Sequence, residues 1–166
     1  MLNPRAGRGL APTYAEAIGD ADIVSVGGTK NGMMFGDAVL VRRPELFDGV
    51  HFVQKQIGHL ASKQRYVAAQ FEAMFADGLW LSTASRANAM AARLSEGMMA
   101  LGLRLASPVE ANEVFVAMDP ELHRRLGDTY AVHQPDLGEP VVRFVCSWAT
   151  TDADVDGALA TLRGLL

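Results

Sequence analysis

Apolar residues fall into two periods along this chain, and the change of period divides it. Ile23–Val26 is a short, largely β-branched run that stops at Gly27-Gly28, and Ala38–Val41 is a second such run. The pair predicts a buried strand, a glycine turn over Thr29-Lys30-Asn31-Gly32 in which Asn31-Gly32 can supply positive φ angles, and a strand coming straight back. From about residue 45 to 101 the apolar positions recur at helical spacing: Tyr66, Val67, Gln70, Phe71, Met74 and Phe75, then Met90, Leu94, Met98 and Leu101. Pro44 suits a helix start, and Asp77-Gly78 is the expected break between two of the helices. Most of these methionines and aromatics are expected in a core.

After Gly102 the period shortens. Leu103–Ala106, Asn112–Met118, Thr129–His133 and Val141–Trp148 read as strands, with a short helix over Glu121–Leu126 behind Asp119-Pro120. Thr151 is placed as an N-cap, with Asp152 and Asp154 in the first turn and Val155, Leu159 and Leu162 along one stripe of a final helix. The order β-β-α-β-β-α predicts a small two-layer α/β unit. Residues 1–14, rich in Gly, Pro and Arg, read as an irregular leader.

Composition narrows the class. Of the 166 residues 49% are hydrophobic and 20% charged, enough apolar material for a core. The net charge of −4 argues against a nucleic-acid or anionic-membrane surface. Cys146, the single cysteine, sits in an apolar run and reads as a small buried hydrophobe in a reducing compartment. No apolar run reaches the length of a membrane span, and the first residues lack a secretory h-region, so the expected compartment is the cytoplasm.

Two residues stand out chemically. Lys30 lies in a glycine loop at a strand end, but Gly27, Gly28 and Lys30 are too close together for the phosphate-binding G-x-x-x-x-G-K-[ST] loop. Two readings remain: a solvated turn lysine, or an amine that rigid backbone presents for attack on an aldehyde. Arg143 interrupts the run Val141-Val142-Arg143-Phe144-Val145-Cys146. It is either on the solvent face of a strand or a fork that grips a carboxylate through two parallel hydrogen bonds. His51, Lys55 and His59 share a helix face at i, i+4, i+8, a poor metal set. Lys63 and Arg65, near a helix start, can contact a phosphate or face solvent. Glu110 and Asn112 read as turn residues, and no metal site is expected.

The run Ala21 to Gly32, ending Gly27-Gly28-Thr29-Lys30-Asn31-Gly32, is similar to the cofactor-lysine segment of low-specificity threonine aldolases, lyases that use pyridoxal 5'-phosphate (PLP). The similarity continues through Gly36-Asp37-Ala38-Val39, Gly58 to Arg65, Arg86 to Leu94, Glu110 to Val116 and Val142 to Asp156, nearly all of residues 21–162 in order. The resemblance implies the carboxyl-terminal part of an α/β PLP fold type I enzyme of the aspartate-aminotransferase kind. Residues 1–43 would be the end of the large PLP domain, residues 44–101 connecting helices, and residues 102–166 the small carboxyl-terminal domain. Lys30 would be the Schiff-base lysine and Arg143 would bind the substrate α-carboxylate. Lys63 and Arg65 would lie toward the cofactor, across a subunit interface in a homodimer or homotetramer. The implied reaction splits threonine or a related β-hydroxy-α-amino acid into glycine and an aldehyde.

The family's phosphate loop, stacking aromatic and pyridine-pairing aspartate precede the lysine by tens of residues, whereas 29 residues precede Lys30 here. Asp20 and Asp22 are too close to Lys30 to serve as that aspartate. A partial enzyme is the expectation. The alternatives are another PLP-dependent amino-acid lyase of the same fold, or a non-catalytic α/β module.

Overall fold

A computed structural model describes residues 10–132 and 140–166, the side chains from Tyr14 onward. The chain gathers into two compact units, residues 11–83 and residues 84–166.

In the first unit a helix α1 (Leu10–Ile18) stands where residues 10–14 read as irregular leader; residues 1–9 lie outside the described residues. Pro12 misled that reading: it falls in the first turn of α1, where a missing N–H costs nothing. Strands β1 (Ile23–Gly27) and β2 (Asp37–Val41) pair antiparallel from Ile23↔Val41 to Gly27↔Asp37, as the pattern predicts. Arg42 ties the ends of the ribbon to the loop before it, its Nη1 donating to the Gly19 carbonyl at 2.6 Å and the Ala21 carbonyl at 3.1 Å.

Four helices follow: α2 (Pro44–Phe47), α3 (Val50–Gln56), α4 (Arg65–Ala76) and α5 (Leu79–Ala100). The break at Asp77-Gly78 is where the sequence places it. The stripe on α4 is only partly inward: Met74 is buried, while Tyr66 and Phe75 remain about half exposed. Aromatic edges fill what interior this unit has: Tyr14 meets Trp80 edge-on at 5.2 Å between centroids, and Phe75 meets Trp80 at 5.7 Å. No residue of β1 or β2 is buried, although Ile23–Val26 reads as a buried strand. A run that is apolar on both faces suits a strand covered from both sides, and a two-stranded ribbon cannot cover itself.

The second unit holds the larger core. Strands β3 (Arg104–Leu105), β4 (Glu113–Ala117) and β5 (Val141–Val145) form an antiparallel sheet in the order β3-β4-β5. Val114, Val116 and Val142 point to one face and are 0–1% exposed. They pack with Leu94 and Met98 of α5, Leu126 of α6 (Pro120–Gly127), and Val155 and Leu162 of α7 (Asp152–Leu165). Both later helices are capped, α7 at the expected Thr151 and α6 at Asp119. The Asp119 carboxylate accepts from the Glu121 and Leu122 amides, and Thr151 and Asp154 form a reciprocal capping box. The described residues of this unit run β-β-α-β-α rather than β-β-α-β-β-α. Residues 129–132 are not a strand, because α6 ends in a turn closed by the Thr129 and Tyr130 amides on the Leu126 carbonyl. His133, the last residue of that expected strand, lies outside the described residues, and β5 stops at Val145 rather than Trp148.

Candidate active site

Lys30 is the middle residue of a single 3-10 turn, Thr29–Asn31, between β1 and β2, and its side chain is exposed. The positive φ that closes this turn is carried by Gly32 alone, at 113°; Asn31 remains helical. The Gly28 carbonyl accepts from the amides of Asn31 at 3.0 Å and Met33 at 3.2 Å, and the Met33 side chain folds beneath Gly28. A Cβ on Gly28 would overlap the Met33 thioether, so glycine here permits close packing. At Gly36 a φ of +114° and the nearby Val67 side chain both exclude a Cβ.

Three side chains, Asn31, Thr83 and Gln70, hold this loop through contacts that the sequence does not specify. Asn31 donates from Nδ2 to the Trp80 carbonyl at 3.0 Å, and its Oδ1 accepts from the Thr83 hydroxyl at 3.0 Å. Gln70 accepts the Met34 amide at 2.8 Å and donates to the Tyr66 carbonyl at 3.2 Å. Gln70 was legible as one helical position among apolar ones; a polar residue inside an inward stripe is the available signal.

Lys63 and Arg65 lie at the start of α4 and are exposed. Lys63 has a φ of 62°, the one positive φ among the described non-glycine residues. A side chain in that region costs free energy, and the neighbouring backbone is held to it. Gln64 and Gln54 both donate to the His59 carbonyl, at 2.8 and 3.2 Å. The Arg65 guanidinium lies over the Tyr66 ring at 4.8 Å from its centroid. The His51, Lys55, His59 face is not realised, because α3 ends at Gln56 and His59 falls in the following loop. Among the described residues no group of three His, Cys, Asp or Glu side chains is arranged to hold a metal ion. No helix among them is long and apolar enough to cross a membrane.

Arg143 lies in the second unit on β5, opposite Phe115 and on the sheet face away from Val114, Val116 and Val142. Period-two alternation therefore puts it off the helix-packed core. Its Nη1 lies 3.4 Å from the Glu113 carboxylate, while its Nε is buried with no hydrogen-bond partner among the described residues. Arg143 is among the residues that line a cavity of about 380 Å³, with Tyr130, Phe144, Thr150 and Asp154. Cys146 lines the same cavity, and burial pushes its thiol up to about 11. Asn112, read as a turn residue, donates to the Cys146 carbonyl at 2.7 Å and so fixes the end of β5.

No family model matches the chain. Over 146 residues it is 36% identical to the low specificity L-threonine aldolase of a Pseudomonas species, an alignment covering 87% of this chain and 42% of that protein. The protein of the same name from Pseudomonas aeruginosa is 36% identical over 143 residues, 86% of this chain and 41% of its own. The chain thus spans about two fifths of the length of these relatives. Among solved structures, Leishmania major threonine aldolase superposes with a TM-score of 0.79 at 29% identity, over 87% of this chain and 43% of that one. Sphingomonas wittichii serine palmitoyltransferase gives a TM-score of 0.69 over 99% of this chain and 44% of that one, at 18% identity, which speaks for the fold alone. The resemblance to threonine aldolases read from the sequence holds, and the fold is that of the carboxyl-terminal part of a PLP fold type I enzyme.

Proposed function

We propose that this chain carries the lysine side of a PLP-dependent carbon–carbon lyase that cleaves threonine or a related β-hydroxy-α-amino acid to glycine and an aldehyde. The observation that carries the reading is Lys30: an exposed amine at the centre of a turn pinned by a strand pair, by Met33 beneath Gly28 and by Asn31. It stands in a segment shared with named threonine aldolases at 36% identity. Such an amine fits a group that must be held covalently at one carbon while its ring stays in a fixed plane.

Lys30 would hold PLP, with Lys63 and Arg65 as cationic groups toward its phosphate. When bound, the cofactor supplies a sink for the electron pair left by Cα–Cβ cleavage. Arg143 would hold the amino-acid carboxylate and so orient the bond that breaks. Support for that role is its position off the packed core and an Nε without a hydrogen-bond partner among the described residues; the Glu113 carboxylate is the group that a substrate carboxylate would compete with. The large exposed side chains Ile23, Val39, Leu40, Phe47 and Phe52 would be covered by polypeptide equivalent to the part of the relatives that this chain does not span. The same surface supports a homodimer or homotetramer, and the buried, unpaired Cys146 supports a cytoplasmic setting. Residues 1–43, 44–101 and 102–166 would then be the end of the large domain, the connecting helices and the small domain.

The test is to produce this chain together with the part of the Pseudomonas aldolase that it does not span, and to measure release of glycine and acetaldehyde from threonine. Cleavage that Lys30→Ala abolishes is the expected result. Arg143→Lys should raise the KM for threonine at least tenfold, on the order of 1–2 kcal/mol for a lost paired contact, and leave PLP binding unchanged. A reconstituted pair that binds threonine but splits another bond would favour a different PLP lyase. A pair that assembles with no PLP uptake would favour the non-catalytic module, which the bare apolar surface of residues 11–83 also suits.

A further inference from the structure

The 3-10 turn that carries Lys30 is weakly closed by itself. The Gly32 amide reaches the Thr29 carbonyl at 3.4 Å, and none of the three turn residues is buried. The Asn31 amide 3.0 Å from each of its two partners supplies what the turn lacks, and the chemistry fixes which way it points. The Trp80 carbonyl can only accept, so the nitrogen of Asn31 must face it. The oxygen then faces Thr83, whose hydroxyl must donate to it. That hydroxyl also lies 3.0 Å from the Leu79 carbonyl and 3.1 Å from that of Trp80. It has one proton, so donating to Asn31 means giving up the backbone acceptors of its own helix.

We infer that Asn31 and Thr83 are positioning residues for Lys30: together they clamp the lysine turn to the first two turns of α5 and set the direction in which the amine is presented. The inference rests on the reading of Lys30 as the residue that captures the cofactor aldehyde. It adds a pair of residues separated by 52 positions whose only chemistry is to hold that lysine still.

The chain itself supplies the control, because its three lysines are Lys30, Lys55 and Lys63. The unaltered chain is exposed to limiting PLP, trapped with borohydride, and the label on each lysine is measured by peptide mass spectrometry. Lys30 should label ahead of Lys55 and Lys63. Thr83→Val keeps the shape and removes the hydroxyl. It should lower labelling of Lys30 about fivefold, the scale of one ordinary hydrogen bond, and leave the other two unchanged. Asn31→Ala should do the same, and Thr83→Ser should restore the unaltered pattern. Amide exchange in the same samples reads the clamp directly: the Asn31 and Met33 amides should exchange faster in Thr83→Val. Unchanged exchange would overturn the clamp, and faster exchange with undiminished Lys30 labelling would overturn its role in positioning. If Lys30 shows no preference in the unaltered chain, the turn does not present its amine and this inference fails, whereas the cofactor reading itself is decided by PLP uptake in the reconstituted pair.

Discussion

Val116 and Val39 are both valines in five-residue strands, yet the first is fully buried and the second is 64% exposed. The difference repeats across the two units. In residues 84–166 one sheet face meets three helices, and Leu126, Leu162 and Met98 have no exposed surface. In residues 11–83 the ribbon, α2 and α3 leave Ile23, Leu40, Phe47, Phe52 and Val53 at least half exposed. Strand and helix formation in the two units follow the same local rules. What separates them is whether each apolar face has a partner within the unit. A region can carry all its sequence signals and still need a surface from elsewhere.

The largest consequence concerns stability. Leu126→Ala opens a void in a closed core and should cost about 2–5 kcal/mol in chemical denaturation of the chain. Phe52→Ala removes a larger side chain that is 64% exposed and should change stability by less than about 0.5 kcal/mol. Comparable losses at the two sites would erase the contrast.

A smaller effect comes from the α7 cap. Thr151→Ala should cost about 1 kcal/mol, since it removes the acceptor of the Asp154 amide. The hydrogen bonds from the Thr151 hydroxyl and amide hold the Asp154 carboxyl below its ordinary value of 3.8. A carboxyl depressed in the folded state stabilises the fold above its unfolded value, and that contribution is lost as pH falls through the lower folded value. Stability measured below about pH 4 should therefore fall less steeply in Thr151→Ala than in the unaltered chain.

The smallest effect is chemical. Burial raises the Cys146 thiol to about 11, so little thiolate is present at pH 8 and alkylation of the native chain should be slow. Denaturant should release it. Because the folded thiol ionises later than the unfolded one, its contribution to stability is intact below about pH 9 and is lost as pH rises toward 11. Fast alkylation of the native chain would show that the second unit is less closed than its core implies.

How much of this was legible in the sequence differs between the units for the same reason. The cap at Thr151, the break at Asp77-Gly78 and the stripe Met90, Leu94, Met98 depend on neighbours within a few residues or on one helical face, and the structure has all three. The expected burial of β1 was misread, because burial depends on what lies against a strand and its own residues do not specify that. The strand expected over Thr129–His133 gives way at Thr129 and Tyr130 to the turn that ends α6, a tertiary choice that strand propensity does not decide. Lys30 stood out by its glycine setting. Asn31 reads only as a turn residue and Thr83 and Trp80 not at all, since a clamp across some fifty positions leaves no local pattern.

The contrast between the units is tested most directly by amide hydrogen exchange in β1 and β2, measured on this chain alone and again with the unspanned part of the Pseudomonas aldolase present. Fast exchange is expected in Ile23–Gly27 and Asp37–Val41 when the chain is alone, slower exchange once the complement is added, and strong protection of Val114, Val116 and Val142 in both samples. Protection of the ribbon equal to that of β4 and β5 in the chain alone, or no gain on adding the complement, would contradict it.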